Sequence, residues 1–155
     1  MAGDLIQTPQ TLWKIGSYES VKRPTLITLN GRIVNGVAES RYTQLLIPGA
    51  AAGYQVPTGK TLYITHVRCR ADVADSQWLF GSATADPGAN QVAAPAGAIS
   101  HTSINDTSGG PQRLLTALQF YVFEEPFTFS TGRFPYLRVF TASNTFVLTA
   151  LGHEE

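Results

Sequence analysis

The sequence is poor in charge, in cysteine and in long apolar runs. Only 14% of its 155 residues are charged, whereas an average soluble domain has about 25%, and eleven basic residues balance eleven acidic ones. A neutral chain lacks the basic stripe that neutralises phosphates, which argues against a nucleic-acid or anionic-membrane partner. So little charge also gives little of the self-repulsion that keeps a free monomer soluble. We therefore expect much of the surface to meet other protein.

Cysteine and targeting segments are equally scarce. Cys69 is the single cysteine, so no intrachain disulfide framework is possible and a reducing compartment is favoured. Residues 1–10 carry neither the basic nor the apolar region of a secretion signal, and no run approaches the roughly 18 apolar residues of a membrane span. We expect synthesis in the cytoplasm and no membrane partner.

Residues that usually carry chemistry are few and scattered. His66, His101 and His153 have no metal-ligand spacing, and no G-x-S-x-G elbow occurs. Cys69 falls on the apolar side of a strand pattern, where a thiol acts as a small buried hydrophobe. The sequence therefore predicts no catalytic residue, no metal and no cofactor. A metal-dependent cupin-like enzyme is the least favoured of three hypotheses about function, and the other two are given below.

Two pairs of carboxylates are close enough in sequence to be candidate catalytic or cation-binding groups. Glu124 and Glu125 are adjacent, so a strand would point them to opposite faces, unlike a glycosidase pair that faces across a cleft. Asp72 and Asp75 provide only two carboxylates, whereas a calcium ion takes about six to eight oxygen ligands. Neither pair predicts a site.

Hydrophobic alternation with period two dominates the chain, and no window keeps a helical repeat. Asn30-Gly31 is typical of a two-residue hairpin turn, because both positions of that turn need positive φ. Short strands separated by turn residues predict an all-β, jelly-roll-type β-sandwich over residues 25–155, with an open barrel as the alternative. The predicted strands are 25–29, 32–34, 41–47, 54–56, 61–73, 77–81, the second half of 113–125, 127–129, 136–141 and 144–151.

The strand pattern at 61–73 is the strongest in the chain. Strict alternation puts Tyr63 with Val67 on one side, and Leu62 with Arg68 and Arg70 on the other. A face that changes from apolar to basic suggests a strand running from the core to an edge or an interface. Arg68 and Arg70 are therefore candidate contact residues.

Two segments do not fit the sandwich. Residues 82–112 form a long loop rich in Gly, Ala and Pro, too long for an ordinary connection, which we expect to be either mobile or ordered by a partner. Residues 1–24 form an N-terminal arm that we expect to lie against another chain. Its candidate interaction residues are Leu5, Ile6, Leu12, Trp13, Ile15 and Tyr18.

Aromatic residues support an alternative of a different class. Trp13, Trp78, Tyr42 and Tyr54 could stack on sugars if they were exposed, as in a carbohydrate- or receptor-binding module of a phage tail or fibre. The competing interpretation, which we favour, places Trp78 in the core and Trp13 at an interface.

Two stretches carry a resemblance to a known family. Residues 54–65 contain V-P-T-G-K-T-L-Y-I, which resembles the V-P-x-G-K-x-L-x-I opening of jelly-roll strands in small structural proteins of tailed bacteriophages. Residues 135–140 and 146–152 look like the closing pair of strands of the same proteins. Together these stretches cover about a third of the chain, and the family is that of the head-decoration, or cement, proteins.

The resemblance implies a non-enzymatic virion protein. The head-decoration proteins that it resembles are jelly-roll protomers, commonly homotrimers. They lie on the outer capsid surface between capsomers and stabilise the head by bridging capsid subunits. The implied partners are the major capsid protein and further copies of this chain.

Overall fold

The computed structural model describes residues 24–35, 40–72, 76–101, 112–114, 118–140 and 144–155. Within these ranges every regular element is a β-strand. The predicted arm lies outside the described residues except for Pro24, as does part of the long loop, residues 102–111. The strands are β1 (Thr25–Asn35), β2 (Arg41–Gln44), β3 (Leu62–Ala71), β4 (Ser76–Ala83), β5 (Ile99–His101), β6 (Gln112–Leu114), β7 (Leu118–Phe129), β8 (Phe134–Val139) and β9 (Asn144–Glu154).

The strands form two antiparallel sheets packed face to face, which confirms the predicted all-β sandwich. The first sheet has the order β1-β9-β3-β7, and the second has the order β2-β8-β4-β5, with β6 also pairing with β4. From β1 to β4 and again from β7 to β9, successive strands alternate between the two sheets.

The core lies between the sheets and is strongly aromatic. Trp78 is fully buried, which confirms its predicted place, and its ring meets Phe80 edge to face at 5.3 Å. Phe80 in turn contacts Phe127 and Phe129 of the opposite sheet. Offset and edge-to-face ring pairs of this kind add about 0.5–1.5 kcal/mol each beyond the area that they bury.

The hairpin predicted at Asn30-Gly31 is wrong, because β1 runs through both residues without a turn. Gly31 faces the core, where an added Cβ would lie 2.7 Å from Cδ2 of Leu45. The Thr149 hydroxyl donates a hydrogen bond to Oδ1 of Asn30, at 3.0 Å. Gly31 is therefore needed because its missing Cβ leaves room for the Leu45 side chain. It does not have the positive φ that a hairpin turn would require.

The alternation predicted for β3 is also wrong, because a β-bulge interrupts it. Ile64 pairs with Gly152 and His66 with Leu151, so Thr65 is one residue more than β9 can match. Leu62 and Ile64 face the core before the bulge, and Val67 faces it after the bulge. The basic residues thus lie on the outer face of a central strand, and the strand does not run from the core to an edge.

Two predicted strand ends lie inside longer strands. β7 continues through Pro126, although its pairing with β3 is interrupted between Val122 and Phe127. β9 continues through Gly152 to Glu154. The sequence predicts a turn at Pro126 and at Gly152 because proline and glycine give the same signal in a turn and at an irregular point of a strand.

The described part of the long loop, residues 84–101, is ordered by the chain's own sheet. Tyr42 and Gln91 exchange two backbone hydrogen bonds, and the Gln44 N–H donates to the Gly88 carbonyl at 2.9 Å. Residues 99–101 form β5 on β4. The expectation of a mobile or partner-ordered loop is therefore wrong for these residues, because small side chains allow this backbone to lie along a strand.

Candidate interaction surface

The outer face of the first sheet is exposed and apolar. Of nine large hydrophobic residues that are exposed among the described residues, six lie on this face. The six are Leu26, Val34, Phe120, Val122, Val147 and Leu151. Contiguous exposed apolar surface is uncommon on monomeric proteins and typically marks an interaction site.

The register brings these side chains together across the sheet. Leu151 pairs on one side with Thr28 and on the other with His66, which in turn pairs with Val122. Residues that pair in neighbouring strands share a face, so the exposed apolar side chains of β1, β7 and β9 lie on one face, where they alternate with polar and basic side chains.

The same face carries positive charge. Arg32, Arg68 and Arg70 lie on it, and the guanidinium of Arg68 sits 5.5 Å from the centre of the Phe120 ring. None of the described positions that pair across this face is Asp or Glu, and Glu124, an exposed carboxylate of β7, lies just beyond the last of these pairs. The predicted contact residues Arg68 and Arg70 are thus brought together here, whereas the six predicted arm residues lie outside the described part of the chain.

Two shallow depressions break the outer face. One, of about 220 Å³, is lined by Arg68, Cys69 and Arg70 of β3 and by Val147 and Thr149 of β9. The other, of about 310 Å³, lies where Leu26, Leu151 and His153 meet the bulge. Both depressions are shallow and open to solvent. Such a shape favours contact with another protein over the binding of a small molecule, which usually needs an enclosed pocket.

A serine, a histidine and an arginine meet on the second sheet. Arg133 donates from Nε to Ser82 Oγ at 3.2 Å, and His101 Nε2 lies 3.1 Å from the same oxygen. Ser82 is buried. Burial, and then the positive charge of Arg133, lower the pKa of His101. Ser82 is closed off from a substrate, so the cluster anchors β5 to β4. His101 is correspondingly half-buried.

The other reactive groups are held in the interior. The Tyr54 hydroxyl donates a hydrogen bond to the buried carboxylate of Glu154, and burial is the main cause that raises the pKa of Tyr54. Burial also raises the pKa of the Cys69 thiol, in agreement with its predicted structural place. Among the described residues no group of three or more His, Cys, Asp or Glu side chains is arranged to hold a metal ion.

The aromatics proposed for sugar stacking do not form a binding platform. Trp78, Tyr42 and Tyr54 are all buried, and Trp13 lies outside the described residues. Tyr42 instead packs edge to face on Tyr136, in a small buried cluster with Ala83 at the end of β4. The carbohydrate alternative therefore loses the three described residues on which it was based.

Sequence reasoning missed all six exposed apolar residues of the outer face. The available signal was the lack of alternation in β9, where Phe146, Val147 and Leu148 are consecutive apolar residues. A strand that is apolar on both sides is typical of one covered on both faces.

Comparisons of the chain with protein families, with curated proteins and with solved structures find no significant match. In the part of the chain that the structure describes, no helix is long and apolar enough to cross a membrane.

Proposed function

We propose that the protein is a non-enzymatic structural protein of a phage virion, which decorates the outer capsid surface and stabilises the head by bridging capsid subunits. The observation that carries the proposal is the outer face of the first sheet, which is apolar, arginine-bearing and exposed. The resemblance of residues 54–65 to jelly-roll decoration proteins is an independent support from the sequence.

The strand order supports a jelly-roll assignment within the sandwich. A jelly roll is a double sheet whose successive strands cross between the layers in two Greek keys. The orders β1-β9-β3-β7 and β2-β8-β4-β5 have this alternation, if β5 and β6 together count as the strand that follows β4.

The energetics of the face favour binding at several points. Burying a large apolar side chain completely contributes about 1.5–3 kcal/mol, and these six are on average a little over half exposed, so together they offer roughly 5–10 kcal/mol. That sum is comparable with the roughly 4–15 kcal/mol cost of association, so a single docked face binds weakly. Simultaneous contact by several linked copies raises the overall affinity without new contacts, and homo-oligomers on a repeating capsid provide it.

The positive charge of the outer face restricts the kind of capsid surface that it can bind. Arg32, Arg68 and Arg70 would lie buried and unpaired against an apolar or basic partner, which is costly. The capsid surface that docks here is therefore expected to combine apolar residues with carboxylates. Binding through such charges weakens as salt is added.

The proposal is tested by adding the purified protein to phage heads that lack it and measuring bound copies by sedimentation. Val147→Glu places a carboxylate in the centre of the face, where it would oppose the carboxylates of the partner, and should abolish binding, whereas Val92→Glu, at a similarly exposed valine off the face, should not. Equal binding by both variants would refute docking through this face. Failure of the wild-type protein to bind, together with sugar binding on a glycan array, would replace the proposal with the carbohydrate alternative.

A further inference from the structure

The strand β7 forms an edge of the first sheet. Among the described residues its only strand partner is β3, so no described strand pairs with the backbone on its other side. Unpaired backbone at an edge is a template for another strand, and natural proteins usually block it.

The other edges of this sandwich are blocked by the chain itself. The free side of β2 is paired with Gly88 and Gln91. The free side of β1 exchanges two backbone hydrogen bonds with Leu46, and the Asn90 side chain accepts a further bond from Val34 N–H. At the remaining edge of the second sheet, β5 and β6 are only three residues long.

β7 differs from these edges in length and in character. It is 12 residues long, and its exposed residues Phe120 and Val122 are 65% and 68% accessible. It carries no lysine, and its single proline, Pro126, lies in the interruption near its far end. Within the described part of the chain, the first half of β7 therefore has none of the usual protections of an edge.

We propose that β7 pairs antiparallel with β7 of a second copy of this chain about a two-fold axis, joining two first sheets into one continuous sheet. A two-fold axis perpendicular to the sheet keeps both outer faces on the same side. Side chains must then pair with others of the same face, and the apolar match places Phe120 opposite Val122 of the second copy.

Charge complementarity identifies a second copy as the occupant. In this register Glu124 of one copy is opposite Leu118 of the other, and Leu118 pairs with Arg70 in its own sheet. Glu124 and Arg70 then lie two strand spacings apart, about 10 Å at the backbone, which their side chains can span. The outer faces lie side by side, so the arginines of the two copies do not oppose each other.

The β7–β7 contact does not depend on the proposed capsid role. It can also form in addition to a separate contact that joins three copies of the chain. A trimer without it has three times the chain mass of 16.7 kDa, whereas β7 pairing gives an even number of copies, two or six. The mass in solution therefore distinguishes the two arrangements.

The first test is light scattering of the full chain after size-exclusion chromatography. The wild-type protein should have an even multiple of the chain mass at high concentration. The double variant Phe120→Lys with Val122→Lys should halve that mass. Leu26→Lys, at a more exposed residue of the same face on the opposite edge, should leave it unchanged.

A second test keeps the proposal falsifiable if the double variant fails to fold. Separate Phe120→Cys and Val122→Cys proteins are mixed under mild oxidation, and covalent dimers are counted by mass spectrometry. The buried Cys69 does not compete. Disulfides that join residue 120 to residue 122 should exceed both self-linked products. A wild-type monomer or trimer, or a preference for self-linked products, would overturn the proposal.

Discussion

The β-bulge at Thr65 positions the outer face, and Gly152 makes the bulge possible. A Cβ added at Gly152 would lie 1.9 Å from the Tyr63 carbonyl oxygen and 3.0 Å from the Ile64 Cα. Both contacts are with the backbone of β3, so no side chain can rotate away to make room. Gly152→Ala therefore forces β9 and β3 apart where Leu62 and Ile64 turn towards the core.

The cost can be bounded from known effects of overpacking. Extra methyl groups in well-packed interiors cost typically about 1–3 kcal/mol, and a contact with rigid backbone falls at the upper end. We therefore expect Gly152→Ala to lower the free energy of unfolding by about 3 kcal/mol. For a domain of this size each kcal/mol lowers the melting temperature by roughly 2–4 °C, so the shift is about 6–12 °C.

The assay is urea unfolding of the wild type and two variants, followed by tryptophan fluorescence and circular dichroism. Gly132→Ala is the matched control, because open space surrounds Gly132 and only its φ of +76° opposes the substitution. That conformation costs about 1–2 kcal/mol. If Gly152→Ala is no more destabilising than Gly132→Ala, the bulge does not hold the strands as described.

Three further predictions follow from buried groups. The Cys69 thiol should react with a disulfide reagent only after unfolding, because burial raises its pKa and keeps it neutral, and rapid reaction of the native protein would contradict this. Cys69→Ser should cost about 1–3 kcal/mol in urea unfolding, because it buries a hydroxyl in place of a thiol. The pKa of His101 is lowered from 6.5 in the folded state, so the unfolded chain takes up a proton first and stability falls as the pH drops below about 6.5. His101→Gln should flatten the pH dependence of the melting temperature just below that value, and an unchanged slope would show that His101 is not the group involved.

The all-β sandwich could be predicted because short alternating stretches and turn residues give a strong local signal. The turn at Pro57-Thr58-Gly59-Lys60 shows this well, since Gly59 has the positive φ that the sequence indicates. Buried positions such as Cys69 and Trp78 were also predictable, because each lies among apolar neighbours in a strand pattern.

The features that position the outer face could not be predicted, because they depend on pairing between distant segments. The bulge at Thr65 is defined by Gly152, far along the chain, and nothing local to β3 reveals it. The sequence Asn-Gly is compatible both with a hairpin turn and with a strand that packs closely against a side chain such as Leu45. Only the tertiary packing distinguishes the two. The exposed residues of β1, β7 and β9 form one surface only after the strands take their places in the first sheet.

Side-chain oxidation by hydroxyl radicals tests the central claim most directly, because it reports which side chains are covered. The free protein and the protein bound to phage heads are oxidised and compared by mass spectrometry. The account predicts that Leu26, Val147 and Leu151 are protected on the heads, while Val92, exposed off the face, remains equally reactive in both samples. Protection of Val92 with unchanged reactivity of Val147 and Leu151 would show that the outer face of the first sheet is not the docking surface.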